Sequence, residues 1–279
     1  MPFTALLASA FLHALWNALL KRERSPPLAV AGVLAFALLF AAAASLASDG
    51  PGFATPAALG FGLAAGVFEG LYFVTLAAAL ARADYGVVYT IARGGAMLLV
   101  WPAAALLLQE RVATRGALGA LVVGLGLSLA AGRSARHSVS RSGLAFAAAC
   151  AAAIAGYHLC YDRALTVGAR PIPLFAVALA TAFPLVLASL RSGIALREAV
   201  ACGGPSALRW GFAGFLCTGS FLLFLSGLAA AGAGVALTLR NTSVVFAQGL
   251  AFALGERPAR AQLIGALLVA AGAALVAAG

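Results

Sequence analysis

The chain has 279 residues, of which 63% are hydrophobic and only 9% are charged. A soluble domain carries about 25% charged residues, so this composition excludes a soluble globular protein and indicates an integral membrane protein. The net charge of +10 does not indicate a nucleic-acid-binding protein, because the basic residues stand singly at the ends of apolar runs and form no face that could neutralise phosphates.

Ten helices are predicted to cross the membrane, which gives an all-α integral membrane fold. A helix needs about 20 apolar residues to span the hydrocarbon core, and charges, prolines and glycines divide the sequence into runs of that length. The first run is predicted to be a helix and not a secretory signal, since it lacks a basic start and a small-residue cleavage site. In chain order the predicted spans are 3–20, 27–48, 56–80, 86–108, 115–132, 142–161, 171–190, 208–230, 233–254 and 261–278.

The second half of the sequence repeats the first. Residues 110–129 match residues 256–275 at an offset of 146 without a gap, and residues 13–17 match 158–162 at an offset of 145. Because each copy holds five spans, an odd number, the second copy is expected to be inverted about a pseudo-two-fold axis in the membrane plane. The predicted domains are a first repeat at 1–132, a polar linker at 133–141 and a second repeat at 142–279.

Most Lys and Arg residues fall in the loops that follow the odd-numbered spans. The positive-inside rule then places those loops in the cytoplasm and both chain termini outside.

Glu69 is the strongest candidate functional residue, because an ionisable side chain near the centre of a membrane span is costly. Tyr72 and Phe73 follow it at three and four residues, on the same helix face. The second copy has no acid at the matching place, near Cys217. Glu69 is predicted to carry protons or to balance a cationic substrate group. The alternative is a structural ion pair with an intramembrane arginine.

Arg93 and Arg240 occupy nearly equivalent places in the two copies. Arginine stays charged, so each must face protein, water or an anion. The functional interpretation is that they line a cavity and bind a carboxylate or phosphate. The alternative is that Arg93 pairs with Glu69, and that Arg240 is held by the polar residues that follow it, which are Asn241, Thr242, Ser243 and Gln248.

The first span carries a polar stripe of His13, Asn17 and Lys21 at four-residue spacing, and His158 and Asp162 repeat the pattern in the second copy. A histidine in a membrane helix is usually a hydrogen-bonded packing residue, and two at matching positions strengthen the alternative that they line a cavity. Lys21 and Asp162 are expected at the membrane interface. The candidate substrate-binding residues are Glu69, Arg93, Arg240, Tyr72, Tyr89, His13, Trp16, Asn17, His158 and Asn241.

The sequence shows no pattern of enzyme chemistry. Its four cysteines have neither metal-ligand nor disulfide spacing, and there are no clustered carboxylates and no phosphate-binding glycine loop. No catalytic residue, metal or cofactor is predicted.

Two kinds of motif resemble a known family. The opening His13-x-x-Trp16-Asn17-x-x-x-Lys21 resembles the first helix of EamA-type proteins of the drug/metabolite transporter superfamily. Leu108-Gln109-Glu110-Arg111 and Leu254-Gly255-Glu256-Arg257, each followed by a Gly/Ala/Leu-rich helix, resemble that family's repeated ending, although Gln109 replaces its glycine. The resemblance implies ten helices, two inverted repeats, a central cavity and transport of small metabolites. It also implies cytoplasmic termini, against the loop charges.

We therefore predict a secondary transporter, an exporter, of a small polar, anionic or zwitterionic metabolite in the cell membrane. Alternating access would rock the repeats about a midplane site, with protons coupled through Glu69. The expected partners are the substrate, the lipid bilayer and protons, with the oligomeric state open. The alternatives are a lipid-linked sugar flippase, a drug exporter, a membrane-embedded enzyme and a non-transporting scaffold.

Overall fold

The computed structural model describes residues 2–20, 23, 26–82, 88, 90–109, 113–130, 140–190, 205–253 and 259–278. These residues form helices and connecting turns, and the described ranges contain no strand beyond a single bridge between Phe53 and Ala169. The helices are α1 Pro2–Leu20, α2 Pro26–Leu46, α3 Pro56–Leu80, α4 Gly95–Leu107, α5 Thr114–Ala130, α6 Arg141–Thr166, α7 Pro171–Ser189, α8 Pro205–Ala231, α9 Ala233–Arg240, α10 Ser243–Ala253 and α11 Arg260–Ala277.

Seven helices in the described part of the chain are long and apolar enough to cross a membrane, namely α1, α2, α3, α6, α7, α8 and α11. The all-α membrane prediction is confirmed to this extent. The other three predicted spans correspond to α4, α5 and the pair α9 and α10, which are shorter or broken. Ten spans therefore stay a prediction.

The predicted span at 233–254 is not one continuous helix, because the helix is interrupted between α9 and α10. The amide of Asn241 bonds to the carbonyl of Thr238, and the amide of Thr242 to the carbonyl of Leu239, which tightens the last turn. The Thr242 hydroxyl also donates to the Leu239 carbonyl at 2.6 Å. Such local side-chain bonds compete with the helical ladder, and the Asn-Thr-Ser run supplies them.

Two other predicted spans differ in their details. A π-helical turn at Thr90–Gly94 leads into α4 and carries Arg93. Helix α6 continues to Thr166, beyond its predicted end at 161, and Asp162 is a buried residue near the end of that helix.

The main helix contacts join the two halves of the chain. Helix α3 packs along α6, α1 packs along α8, and α5 packs along α11. If the spans of the two halves are matched in order, α1 corresponds to α6 and α3 to α8. The α3–α6 and α1–α8 contacts are therefore equivalent to each other.

Glycines allow the backbones of α5 and α11 to touch. A side chain at Gly119 would lie 2.6 Å from the Gly272 carbonyl, and one at Gly126 would lie 2.7 Å from the Gly265 carbonyl. The sequence offset matches Gly119 with Gly265 and Gly126 with Gly272. Gly119 thus contacts the counterpart of Gly126, and Gly126 contacts the counterpart of Gly119.

The loop before α3 is tied to the loop between α6 and α7. The amide of Ala54 donates to the Gly168 carbonyl, and the amide of Arg170 donates to the Gly52 carbonyl, both at 2.9 Å. Gly168 has a φ of +103°, a conformation that residues with a side chain rarely adopt. These two loops therefore lie on one side of the helix bundle.

Candidate functional site

Three elements meet at a buried histidine. His13 of α1 has its Nε2 atom 3.1 Å from Nη2 of Arg93 and its Nδ1 atom 3.4 Å from Nη2 of Arg240. All three side chains are buried. Arg93 comes from the π turn and Arg240 from the end of α9. The structure thus brings both intramembrane arginines to one imidazole ring.

The hydrogen-bonding capacity of that ring does not match its neighbours. Guanidinium nitrogens donate and do not accept. A neutral imidazole has one accepting nitrogen and one N–H, and an imidazolium has two N–H groups. In every protonation state, at least one N–H of His13 therefore faces a guanidinium N–H. Two donors pointing at one another need a shared acceptor.

Arg240 is 1% exposed and is held by residues of other helices. Its Nη1 atom donates to the Ser9 hydroxyl at 2.9 Å. Its Cζ atom lies 4.4 Å from the ring centroid of Phe221 and 4.5 Å from that of Phe224, which are cation–π distances. The alternative that the polar residues after Arg240 hold it is wrong, because its partners belong to α1 and α8.

Glu69 is 1% exposed on α3. Its Oε2 atom accepts a hydrogen bond from the Tyr161 hydroxyl at 2.6 Å. The ion pair with Arg93 that the sequence left open stays a prediction. Tyr161 is not among the candidate residues predicted from sequence. Its spacing of four from Tyr157, which places both tyrosines on one face of α6, was the signal that could have indicated it.

Aromatic rings connect the carboxylate to the arginines. Tyr157 stacks on His158 with ring centroids 4.3 Å apart, and its centroid lies 5.9 Å from Tyr161 and 6.0 Å from the half-buried Tyr72. His158 in turn packs edge to face with Phe224, with ring centroids 5.1 Å apart. A continuous path of contacts therefore runs from Glu69 to Arg240.

The residues from Glu69 through the aromatic rings to His13, Arg93 and Arg240 form one buried cluster. The remaining predicted residues lie at different distances from this cluster. The Trp16 ring is buried 5.3 Å from the His13 ring. Asn17 is exposed and its side-chain amide donates to the His13 carbonyl at 2.7 Å, so the structure does not bring it into the cluster. Asn241 is fully buried, and both polar atoms of its amide lack a partner among the described residues. Tyr89 and Lys21 lie outside the described residues.

Within the described ranges, no group of three or more His, Cys, Asp or Glu side chains could hold a metal ion. The buried residues around His13 and His158 combine two arginines, several aromatic rings and the tyrosine-bound carboxylate of Glu69.

The model of the EamA-like transporter family matches residues 141–278, which is nearly the whole predicted second repeat. Through its second half, the chain belongs to the EamA-like transporter family. The family is part of the drug/metabolite transporter superfamily, so the predicted resemblance is confirmed. This EamA-like protein is accordingly a multi-pass protein of the cell membrane.

No curated protein sequence matches this EamA-like chain. A protein of known crystal structure is similar to it, with a TM-score of 0.75 at 22% identity over 99% of this chain and 95% of that one. The similarity extends across both halves and concerns the fold.

Proposed function

We propose that this EamA-like protein is a secondary transporter, an exporter, of a small metabolite that carries a carboxylate or phosphate group. The observation that carries the proposal is the placement of His13 between Arg93 and Arg240. An anionic oxygen beside the imidazole would accept from the N–H groups that otherwise face each other. Charge-assisted hydrogen bonds of this kind are the strong ones, and guanidinium groups suit planar anions.

The same cluster suits the rest of a small metabolite. Tyr72, Tyr157 and Phe224 offer ring surfaces to apolar atoms. Asn241, which follows Arg240 in the chain, offers an NH2 group and a carbonyl oxygen that no described residue uses. Most ligand sites combine an apolar lining with a few placed polar groups in this way. The proposed activity moves the metabolite without changing it covalently.

Alternating access would follow from two inverted repeats, at 1–132 and 142–279. Two features support this arrangement. The α3–α6 contact becomes the α1–α8 contact when the first and second halves of the chain are interchanged. In the same way, Gly119 contacts Gly272, and Gly126 contacts Gly265. A two-fold axis between α5 and α11 produces that exchange, because each partner then uses the same surface. Rocking the repeats about the axis would expose the cluster to either side in turn.

Small acids are expected to stabilise the purified protein, and their uncharged amides are not. The panel contains propionate, succinate and 3-phenylpropionate with their amides at matched ionic strength, measured by thermal unfolding in detergent. At a concentration about 100 times its Kd, a ligand raises the free energy of unfolding by about 2.7 kcal/mol. Equal shifts from the acids and their amides, or no shift from any acid, would contradict an anion site.

Glu69 is the proposed proton carrier, and Glu69→Gln is expected to flatten the pH dependence of transport. Glutamine keeps an oxygen that can accept the Tyr161 hydrogen bond, so the substitution removes the titrating group while it retains the contact. The measurement is uptake into proteoliposomes across a series of pH values, with an acid that stabilises the protein. Glu23→Gln is the control, since Glu23 pairs with the exposed Arg209 at 3.2 Å outside the cluster. A pH profile of Glu69→Gln that overlays the wild-type profile would exclude proton coupling through this residue.

A further inference from the structure

His158 of α6 is the counterpart of His13, at the offset of 145 that relates the two copies. It is fully buried. Its Nδ1 atom lies 2.8 Å from the carbonyl oxygen of Ile154. A carbonyl oxygen only accepts, so Nδ1 must carry the hydrogen, and in the neutral ring Nε2 then carries the lone pair.

The two histidines have opposite surroundings. Nε2 of His13 lies 3.1 Å from the Nη2 donor of Arg93, whereas Nε2 of His158 has no hydrogen-bond partner among the described residues. A buried acceptor without a partner costs about 1–3 kcal/mol. Native structures hold few such groups, and each calls for a physical explanation.

The direction of the unused lone pair is fixed by packing. The ring of His158 stacks on Tyr157 with centroids 4.3 Å apart and packs edge to face with Phe224 with centroids 5.1 Å apart. Its bond to Ile154 fixes the remaining rotation. The ring therefore cannot turn to find another partner without breaking a contact or that bond.

The His158 ring and the Arg240 guanidinium share one aromatic neighbour. The rings of His158 and Phe224 meet edge to face with their centroids 5.1 Å apart, and Cζ of Arg240 lies 4.5 Å from the Phe224 centroid. One phenylalanine ring thus packs against both the imidazole and the guanidinium. A small molecule whose anionic group lies at His13 and Arg240 would need a second polar group to reach His158.

We propose that Nε2 of His158 accepts a hydrogen bond from a hydroxyl or ammonium group of the transported molecule. This rests on the anion site proposed above and narrows its substrate class. The substrate is then an acid that also carries an O–H or N–H donor near its anionic group. A plain acid would leave the His158 acceptor unsatisfied, and an ordered water molecule in its place would give no selectivity.

Matched acids that differ in one group test the proposal. Each series has a parent acid, its 2-hydroxy form and its 2-amino form: propionate, lactate and alanine; succinate, malate and aspartate; 3-phenylpropionate, 3-phenyllactate and phenylalanine. Dissociation constants come from titrated thermal unfolding of the full-length protein in detergent. In at least one series, a donor-bearing form is expected to bind about 2- to 10-fold more tightly than its parent, which is the usual size of one hydrogen bond.

Two variants locate that preference at His158. In His158→Phe, the parent acid and its donor-bearing form are expected to have about equal dissociation constants, because phenylalanine keeps the ring contacts but has no lone pair. In His158→Gln, the side-chain oxygen can take the place of Nε2, and part of the preference should return. This second variant keeps the test open if His158→Phe does not fold.

The outcomes separate the two proposals. Equal binding of parent and donor-bearing acids by the wild type would overturn the His158 proposal and leave the anion site standing. A preference that persists unchanged in His158→Phe would also overturn it. Binding of no acid in any series would contradict the anion site itself, and the His158 proposal with it.

Discussion

Arg240→Gln is expected to weaken the binding of small acids by about 10- to 100-fold, the effect of losing one or two charge-assisted hydrogen bonds. The guanidinium of Arg240 lies 3.4 Å from His13 and is fixed by Ser9 and by the rings of Phe221 and Phe224. Glutamine retains a donor but has no charge, so it cannot offset the cost of desolvating an anion. The measurement is the dissociation constant from titrated thermal unfolding.

Arg240→Lys is expected to give an intermediate loss, because an ammonium group keeps the charge but lacks the planar fork of the guanidinium. Arg209→Gln is the matched control, since Arg209 is 59% exposed and pairs with Glu23 at the surface. If Arg240→Gln lowered the stability of the protein without ligand yet bound acids like the wild type, Arg240 would be a packing residue only.

Gly265→Ala is expected to lower the free energy of unfolding by about 1–3 kcal/mol, the usual cost of overpacking a close contact. An added Cβ would lie 2.3 Å from the amide nitrogen of Ala130 and 2.5 Å from the Gly126 carbonyl oxygen. Both are backbone atoms, so no side chain can turn away to make room. Helices α5 and α11 would have to separate along their contact. Thermal and denaturant unfolding in detergent measures the change.

Gly124→Ala is the matched control, because it changes the same residue type on the facing helix. An added Cβ there meets no heavy atom within 4 Å outside its own turn. Alanine favours a helix over glycine by about 1 kcal/mol, so this variant should be as stable as the wild type or more so. Equal stability of Gly265→Ala and Gly124→Ala would show that the glycine contact does not hold the two helices together.

The sequence predicted the features that depend on the local hydrophobicity of each segment. Its composition and long apolar runs were enough to predict a helical membrane protein, because backbone groups in hydrocarbon must be satisfied within the helix. The repeated segments identified His13 with His158 as equivalent positions. The motifs near Glu256 pointed to the family whose model matches residues 141–278.

The sequence did not predict the features that depend on competition between side-chain and backbone hydrogen bonds, or on contacts between helices that are distant in the chain. Residues 233–254 are apolar enough for one span, yet the side chain of Thr242 bonds to the Leu239 carbonyl and the helix breaks there. Hydropathy does not weigh that competition between side chain and backbone.

Tertiary structure alone decided the partners of the buried charges. Arg240 bonds to Ser9, which is 231 positions away, and Glu69 bonds to Tyr161, which is 92 positions away. The polar residues that follow Arg240 in the chain were one expectation from sequence for its partners, and that expectation was wrong. A buried polar group takes the partner that helix packing brings within hydrogen-bond distance, and packing is set by the small residues at distant helix contacts such as Gly126 and Gly265.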